Sequence, residues 1–162
     1  MKKTSILISL LLLSFLLIAA SCGYGLHRQT RLDSVSIGRI ENRTFEHGLE
    51  DRLVAALGDE LMRNGIKLSD KSRYSIGGVI NVFELRGIAQ KGDMTVQYEV
   101  YIDGSFSLKG PEGESPLKTG ELFPVIFSTE GPIEAVASLK EEAIARALRD
   151  IASKLAAAAV FR

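Results

Sequence analysis

The sequence of 162 residues contains no tryptophan, one cysteine and two histidines. A single cysteine cannot close a disulfide within the chain, and these three residues are too few for a thiolate or Cys/His metal cluster. Neither sign of charge is in excess, because 20 basic residues balance 20 acidic ones. Without a basic surplus there is no bulk attraction to nucleic acid. The composition therefore excludes disulfide scaffolds and Cys/His metal clusters and argues against a nucleic-acid-binding protein.

Motifs of the common enzyme classes are missing as well. The sequence has no GxSxG turn, P-loop, HExxH helix or catalytic pair of carboxylates. His27 and His47 lack partners at metal-ligand spacing, and we interpret both as solvent or turn residues. With 46% hydrophobic and 25% charged residues, the composition is that of a globular protein. We therefore predict one non-enzymatic domain that needs no metal or other cofactor.

The N-terminus has the three parts of a secretory signal. Lys2 and Lys3 precede an apolar segment over 6–20, which ends in the small residues at 19–21. The apolar segment has 15 residues, whereas a helix needs roughly 20 to cross the hydrocarbon of a bilayer. The segment therefore favours a cleaved signal over a permanent membrane span.

Cys22 lies where a bacterial lipoprotein signal carries the cysteine that becomes the acylated first residue of the mature chain. This resemblance predicts a signal peptide over 1–21, a lipidated tether over 22–33 and a single α/β domain over 34–162. Gly23 stands where enteric lipoproteins retained at the inner membrane have aspartate, which implies an outer-membrane location, lipid-anchored at the periplasmic face. The alternative is a signal peptide that is cut elsewhere and leaves Cys22 as a chance thiol.

Hydrophobic periodicity divides the domain into two helices and four strands. Apolar residues recur at helical spacing over 48–64 and again over 131–158. Apolar and polar residues alternate over 94–108, which predicts a half-buried strand. Weaker strand signals cover 34–40, 74–83 and 120–127.

Only one face of the alternating strand is apolar, so both helices must share that face. The predicted fold is α+β, a two-layer α/β sandwich of β-α-β-β-β-α order, with a mixed four-stranded sheet and two helices on one face. We expect a hairpin loop over 87–93 and an exposed turn over 109–116. Pro124 cannot donate to a ladder, so its strand belongs at an edge or has a bulge. Because the strand over 94–108 is unusually long, either Gly104 forms a bulge or the sheet projects beyond the helices.

The order and spacing of these segments resemble the LPS-assembly lipoprotein family, LptE. No single motif is diagnostic, but the matching segments together cover nearly the whole mature chain. They are the Cys-Gly-Tyr at 22–24, the segment 36–45 with its Asn-Arg-Thr turn, 48–50, the helical pattern 53–61, the strands at 78–80 and 96–103, and the Ala-rich final helix. The chain departs from the family pattern at Ser72 and Arg73, where members often have Ala-Asp.

This resemblance implies a non-enzymatic outer-membrane component that binds the β-barrel translocon protein LptD, lies partly inside its lumen and helps to insert lipopolysaccharide. A polar, uncovered sheet face fits that role, because barrel interiors are polar. The alternative is a lipoprotein activator or scaffold of a cell-wall synthase, which can share a small α/β fold and an Asn-Arg-Thr turn. An enzyme is a distant third.

Basic residues near the predicted turns are the candidate contacts for lipopolysaccharide, whose lipid A is phosphorylated. Arg86 and Lys91 flank the predicted loop, and a guanidinium can bind phosphate through two hydrogen bonds. A second basic cluster comprises Arg28, Arg31, Arg39 and Arg43. The alternative interpretation is that all six are ordinary surface cations.

We predict that Cys22→Ala abolishes membrane anchoring, because each buried CH₂ of an acyl chain such as palmitate contributes ~0.8 kcal/mol to membrane binding. The variant should remain uncleaved or become soluble and should no longer fractionate with the outer membrane. Intact-mass measurement of the wild-type protein extracted from membranes provides the check. An unmodified Cys22 in that fraction would contradict the prediction.

Overall fold

The computed structural model describes residues 32–92, 94–129 and 133–160. The predicted signal peptide over 1–21 and Cys22 lie outside this part of the chain. The elements in chain order are β1 (Ser34–Asn42), α1 (Leu49–Arg63), β2 (Lys67–Leu68), β3 (Ser75–Lys91), β4 (Met94–Gly110), β5 (Gly113–Leu117), β6 (Val125–Ser128) and α2 (Ile133–Val160).

The strands form one mixed sheet in the order β2-β1-β3-β4-β5, and β6 also pairs with β4. β1 is parallel to both β2 and β3, whereas β4 is antiparallel to β3, β5 and β6. β3 pairs with β4 along the whole of one edge. β5 and β6 therefore share the other edge of β4. β5 pairs with residues 106–110 and β6 with residues 97–100.

Both helices pack on the same face of this sheet. α1 buries a leucine at every fourth position, which aligns them on one side of the helix. They join one hydrophobic core with α2 and with the even-numbered side chains of β4. The completely buried members are Leu49, Leu53, Leu57 and Leu61 of α1, Ile144, Ala152, Leu155 and Ala156 of α2, and Val35, Ile76, Ile80 and Val100 of the sheet. The predicted α+β architecture, with two helices on one face of a mixed sheet, is confirmed.

Charged residues and a glycine define the two ends of α1. Glu50 and Asp51 lie in the first turn and Arg63 in the last, where their charges complement the helix dipole. Gly65 has a φ of 78°, the left-handed conformation that ends a helix and that glycine adopts without strain. Neither helix of the described residues combines the length and the apolar character that a membrane-spanning helix requires.

The sheet has six strands instead of the predicted four. The predicted hairpin loop over 87–93 is wrong in extent, because β3 continues through Lys91 and the chain turns at Gly92, whose φ is 64°. The predicted turn over 109–116 contains β5, an edge strand in which Pro116 does not interrupt the sheet. The final strand begins only after Pro124, and β2 is a two-residue addition at the opposite edge.

β3 and β4 have 17 residues each and dominate the sheet. The sheet does project beyond the helices, but the bulge lies in β3 opposite Gly104 and not at Gly104 in β4. Asn81 is an extra residue in β3, because Ile80 lies opposite Gly104 while Val82 lies opposite Asp103. A side chain at Gly104 would bring its Cβ within 2.4 Å of the Val79 carbonyl oxygen, so this bulge requires glycine. Beyond the bulge, the β3–β4 hairpin becomes progressively exposed.

The two ends of the described chain meet at the end of the sheet opposite the hairpin tip. Leu32, just before β1, and Ala159, near the end of α2, line the same cavity with Tyr74 and Gly110. The tip at Gly92 is a full β3 length away from Ser75, which follows Tyr74. The domain is therefore elongated along its strands, with chain ends and hairpin tip at opposite poles.

We predict that Leu148→Asp strongly destabilises the domain. Leu148 is 1% exposed on α2, so aspartate would place an unpaired charge in the core, at a cost of about 3–5 kcal/mol. Met62→Asp is the matched control, because it introduces the same side chain at a position that is 55% exposed on α1. Urea unfolding monitored by circular dichroism measures both, and equal midpoints for the two variants would contradict the assigned core.

Candidate functional site

The second face of the sheet carries the polar side chains of β4, with Val79, Val82 and Ile126 of the neighbouring strands among them. Of the described helices, neither packs on this face. The side chains of β4 on this face are half-buried or exposed and all polar. They are Gln97, Glu99, Tyr101, Asp103, Ser105 and Ser107. We call this surface the polar face. It forms because successive side chains of a strand point to opposite faces of the sheet, so the even-numbered residues of β4 point to the core and the odd-numbered residues point to solvent.

A shallow groove of about 630 Å³ crosses one end of the polar face. Small residues form its floor, among them Gly77 of β3 and Ser105 and Ser107 of β4. Charged side chains of β1 and of Arg43, which follows it, line one side, where Glu41 lies 3.4 Å from Arg39 and 3.5 Å from Arg43. One carboxylate is shared by two exposed guanidinium groups. Glu114 of β5 adds a second carboxylate to the lining, so the charges around the groove balance.

The two other arginines of the predicted basic cluster, Arg28 and Arg31, lie outside the described residues. The groove therefore brings together only Arg39 and Arg43 of that cluster. Arg39 and Glu41 occupy alternate positions of β1, and Arg43 directly follows the strand, so that both guanidinium groups reach the Glu41 carboxylate.

Arg86 and Lys91 lie in β3, within the projecting half of the hairpin. Arg86 contacts two carboxylates, that of Glu84 on its own strand and that of Glu99 on β4 at 3.4 Å. These two acidic groups outweigh the single guanidinium. Lys91 is exposed at the end of the strand and lies opposite Met94. Lys91 thus presents its charge at the tip, whereas Arg86 is already ion-paired.

Tyr101 lies next to this ion-paired group on the polar face. Partial burial raises the pKa of the Tyr101 hydroxyl, and the carboxylates of Asp103 and Glu84 raise it further, while Arg86 opposes them. Tyr101 therefore remains a neutral hydrogen-bond donor at neutral pH within a surface of mostly acidic groups.

The Asn-Arg-Thr segment that follows β1 forms a tightly hydrogen-bonded turn. The side-chain amide of Asn42 donates to the backbone carbonyl of Glu46 at 2.7 Å and to the Glu50 carboxylate at 2.9 Å. Its carbonyl oxygen accepts from the Thr44 backbone N–H at 3.0 Å and from the Thr44 hydroxyl at 2.8 Å. One side chain thereby links the end of β1 to the start of α1.

Two further contacts attach this turn to the rest of the domain. The backbone N–H of Arg43 donates to the carbonyl of Ile80 in β3 at 3.0 Å. Lys140 of α2 is 2.8 Å from the Glu46 carboxylate and 5.6 Å from the centre of the Phe83 ring. Both charged groups are mostly buried, so solvent screens this ion pair less than one on the open surface.

Phe45 projects from the turn with its side chain fully exposed. A turn held by this many contacts presents the ring in a fixed position. An exposed aromatic side chain on a rigid support is typical of the anchors at the centres of protein interfaces. Phe45 is thus a candidate interface residue that periodicity analysis missed. The Asn-x-Thr pattern directly before it is the signal that could have indicated an ordered turn.

The described residues contain no cluster of three or more His, Cys, Asp or Glu side chains arranged to bind a metal ion. His47 is exposed, as expected, and His27 lies outside the described residues. The surfaces described above as candidates for binding are the polar face, the groove and Phe45.

Comparison with solved structures places the fold among small bacterial lipoproteins. Rare lipoprotein B from Shewanella oneidensis has a TM-score of 0.54 at 12% identity, over 74% of this chain and 89% of that one. Lipoprotein B from Nitrosomonas europaea gives 0.52 at 14% identity, over 83% and 88% of the two chains. A minor lipoprotein from Acinetobacter baumannii gives 0.50 at 13% identity, over 77% and 88%. A search of curated protein sequences finds no match.

The family model LptE, lipopolysaccharide-assembly, matches residues 32–159. The chain therefore belongs to the LptE family, as the order and spacing of its segments predicted. This is a non-catalytic family of assembly lipoproteins, consistent with an outer-membrane lipoprotein.

Proposed function

We propose that this protein is the outer-membrane lipoprotein component of a lipopolysaccharide translocon. In this proposal Cys22 carries the lipid anchor at the periplasmic face, and the domain binds and plugs the β-barrel protein LptD. It then assists lipopolysaccharide assembly at the outer leaflet. Membership of the LptE family supports a role in lipopolysaccharide assembly, and the polar face supports the plug.

The polar face is the observation that carries the barrel contact. A side chain inside a barrel lumen meets polar groups and water, so an apolar surface would be out of place there. The polar face presents hydroxyl, amide and carboxylate groups across β4, and Tyr101 adds a neutral donor. These groups lie on an uncovered surface of the domain, so they can hydrogen-bond directly to lumen side chains.

Phe45 would add an apolar anchor to this contact. Its ring is fully exposed in the free domain, so docking into an apolar pocket of the barrel partner would remove that surface from water. The hydrogen bonds of Asn42 hold the turn in place before binding, which lowers the entropic cost of ordering it. We therefore expect Phe45 to contribute disproportionately to barrel binding.

We predict that Phe45→Ser lowers the amount of LptD that co-purifies with the protein in detergent. Truncation of an aromatic anchor typically costs ~2 kcal/mol or more of binding free energy. Met62→Ser is the control, since Met62 is also an exposed apolar residue but lies on α1. Wild-type protein that retains a penicillin-binding protein and no barrel would overturn the translocon proposal in favour of the synthase activator. Equal LptD recovery for both variants would show that Phe45 does not contribute to barrel binding, and would leave the rest of the translocon proposal in place.

Lipopolysaccharide contact is the second part of the proposal, and Arg86 and Lys91 are its candidate residues. Both lie in the projecting half of the hairpin, which the helices leave accessible. A phosphate group that approaches Arg86 would compete with Glu84 and Glu99 for the guanidinium. Charge-assisted hydrogen bonds to phosphate are strong, but at exposed positions salt screens them.

We predict that the double variant Arg86→Ser/Lys91→Ser binds lipopolysaccharide more weakly, most visibly at low ionic strength. Arg63→Ser/Lys67→Ser is the control, because it removes the same charge from exposed positions on α1 and β2. Binding measured across a salt series, with circular dichroism to verify folding, tests the pair. Equal affinity for both double variants would identify Arg86 and Lys91 as ordinary surface cations. Arg39 and Arg43, beside the groove, would then be tested next.

A further inference from the structure

Phe123 is a second exposed aromatic side chain. It is 67% exposed and lies in the segment 118–124, which connects β5 to β6. We call these residues the Phe123 segment, and residues 43–48, which carry Phe45, the Phe45 turn. The other phenylalanines of the described chain are buried or half-buried, namely Phe83, Phe106 and Phe127. Phe45 and Phe123 are therefore the two phenylalanine rings that the described domain exposes to solvent.

The Phe123 segment is held in place on both sides of its ring. Leu122 packs against the hydrophobic core, and Pro124 restricts the backbone of Phe123 to extended conformations. Lys154 of α2 donates a hydrogen bond to the backbone carbonyl of Glu121 at 2.6 Å and lies 5.6 Å from the centre of the Phe123 ring. A lysine at this distance attracts the face of an aromatic ring. The ring is therefore presented from a fixed backbone, as the ring of Phe45 is.

α2 contacts both of the segments that carry the exposed rings. Lys140 lies 2.8 Å from the carboxylate of Glu46, the residue after Phe45. Lys154 contacts the Phe123 segment. The two lysines are roughly four helical turns apart, so about 21 Å of helix separates their Cα atoms. A helix is a stiff connection, and α2 thereby fixes the spacing between the Phe45 turn and the Phe123 segment.

The register of the sheet places the two segments at the same level, on opposite sides of the β3–β4 pair. On the β1 side, the backbone N–H of Arg43 in the Phe45 turn bonds to Ile80, which lies opposite Gly104 of β4. On the other side, β5 ends at the level of Phe106 and β6 begins at the level of Val100. The Phe123 segment therefore passes beside Gly104 as well, so the two exposed rings belong to opposite edges of the domain.

We propose that Phe45 and Phe123 bind the barrel partner at the same time, on two separate walls of its lumen, so that the domain is held between them. This inference rests on the proposed function. A partner that docks at one edge of the sheet covers only one ring, whereas a closed barrel surrounds both edges. The spacing of the rings is fixed before binding, so seating one ring positions the other at little entropic cost. The polar face then contacts the lumen between two apolar anchors.

Photo-cross-linking from the two positions tests this arrangement. Replacing Phe45 or Phe123 by p-benzoylphenylalanine keeps an aromatic ring at an exposed site, so the domain should still fold. Irradiation of the full chain in intact outer membranes should join each variant to LptD. Peptide mass mapping should then place the two adducts on barrel strands that are not neighbours.

The same replacement at Met62 controls for random collision, because Met62 is exposed near the end of α1. β2, which follows α1, pairs with the start of β1, so Met62 lies towards the pole of the chain ends. A yield from position 123 no higher than from position 62 would overturn the proposal. Adducts of Phe45 and Phe123 on the same strand or on neighbouring strands would overturn it as well.

Co-purification in detergent measures what the second ring contributes. Phe123→Ser should lower the recovery of LptD several-fold, and Phe45→Ser/Phe123→Ser should lower it further than either single variant, because each ring binds a different wall. Circular dichroism verifies that the variants fold. A double variant that retains as much LptD as Phe45→Ser alone would overturn the second anchor and leave the translocon proposal in place. Wild-type protein that retains no barrel would overturn both.

Discussion

The antiparallel pairing of β3 with β4 is the constraint on which the rest of the structure depends. These two strands of 17 residues form the centre of the sheet, and every other strand except β2 pairs with one of them. Their alternation separates an apolar face, which the two helices cover, from the polar face. The bulge at Asn81 keeps the apolar positions aligned across so long a ladder, because an extra residue resets the parity of one strand against the other.

Much of the architecture could be predicted because it rests on local periodicity. The leucines of α1 recur every four residues, and β4 alternates strictly, so the helix, the strand and the common apolar face are all encoded in short segments. Strand ends were less predictable. Gly87 suggested a loop, yet Tyr98 of β4 lies opposite it and the ladder continues, a contact between residues 11 positions apart that composition does not reveal. β5 was missed for the same reason, since Pro116 is acceptable in a strand only once its place at an edge is known.

The candidate site was also only partly predictable from the sequence. The polar face followed from alternation, but the environment of Arg86 depends on register, because Glu99 approaches it from the neighbouring strand. The exposure of Phe45 depends on a turn whose hydrogen bonds connect β1, α1 and α2 through three separate side chains, Asn42, Glu46 and Lys140. Sequence patterns identify which residues are polar, whereas tertiary contacts decide which charges are already neutralised and which apolar rings have nothing to pack against.

The placement of both chain ends at one pole of the domain determines how far the protein can reach. At about 3.3 Å per residue, a 17-residue strand extends for roughly 55 Å from the pole near Leu32 to the turn at Gly92. The hydrocarbon of a bilayer is only about 30 Å thick. If the proposed anchor at Cys22 holds this pole at one surface of the membrane and the strands run along the membrane normal, the domain is longer than the bilayer is deep. In that orientation the hairpin tip, with Lys91, would extend past the opposite leaflet.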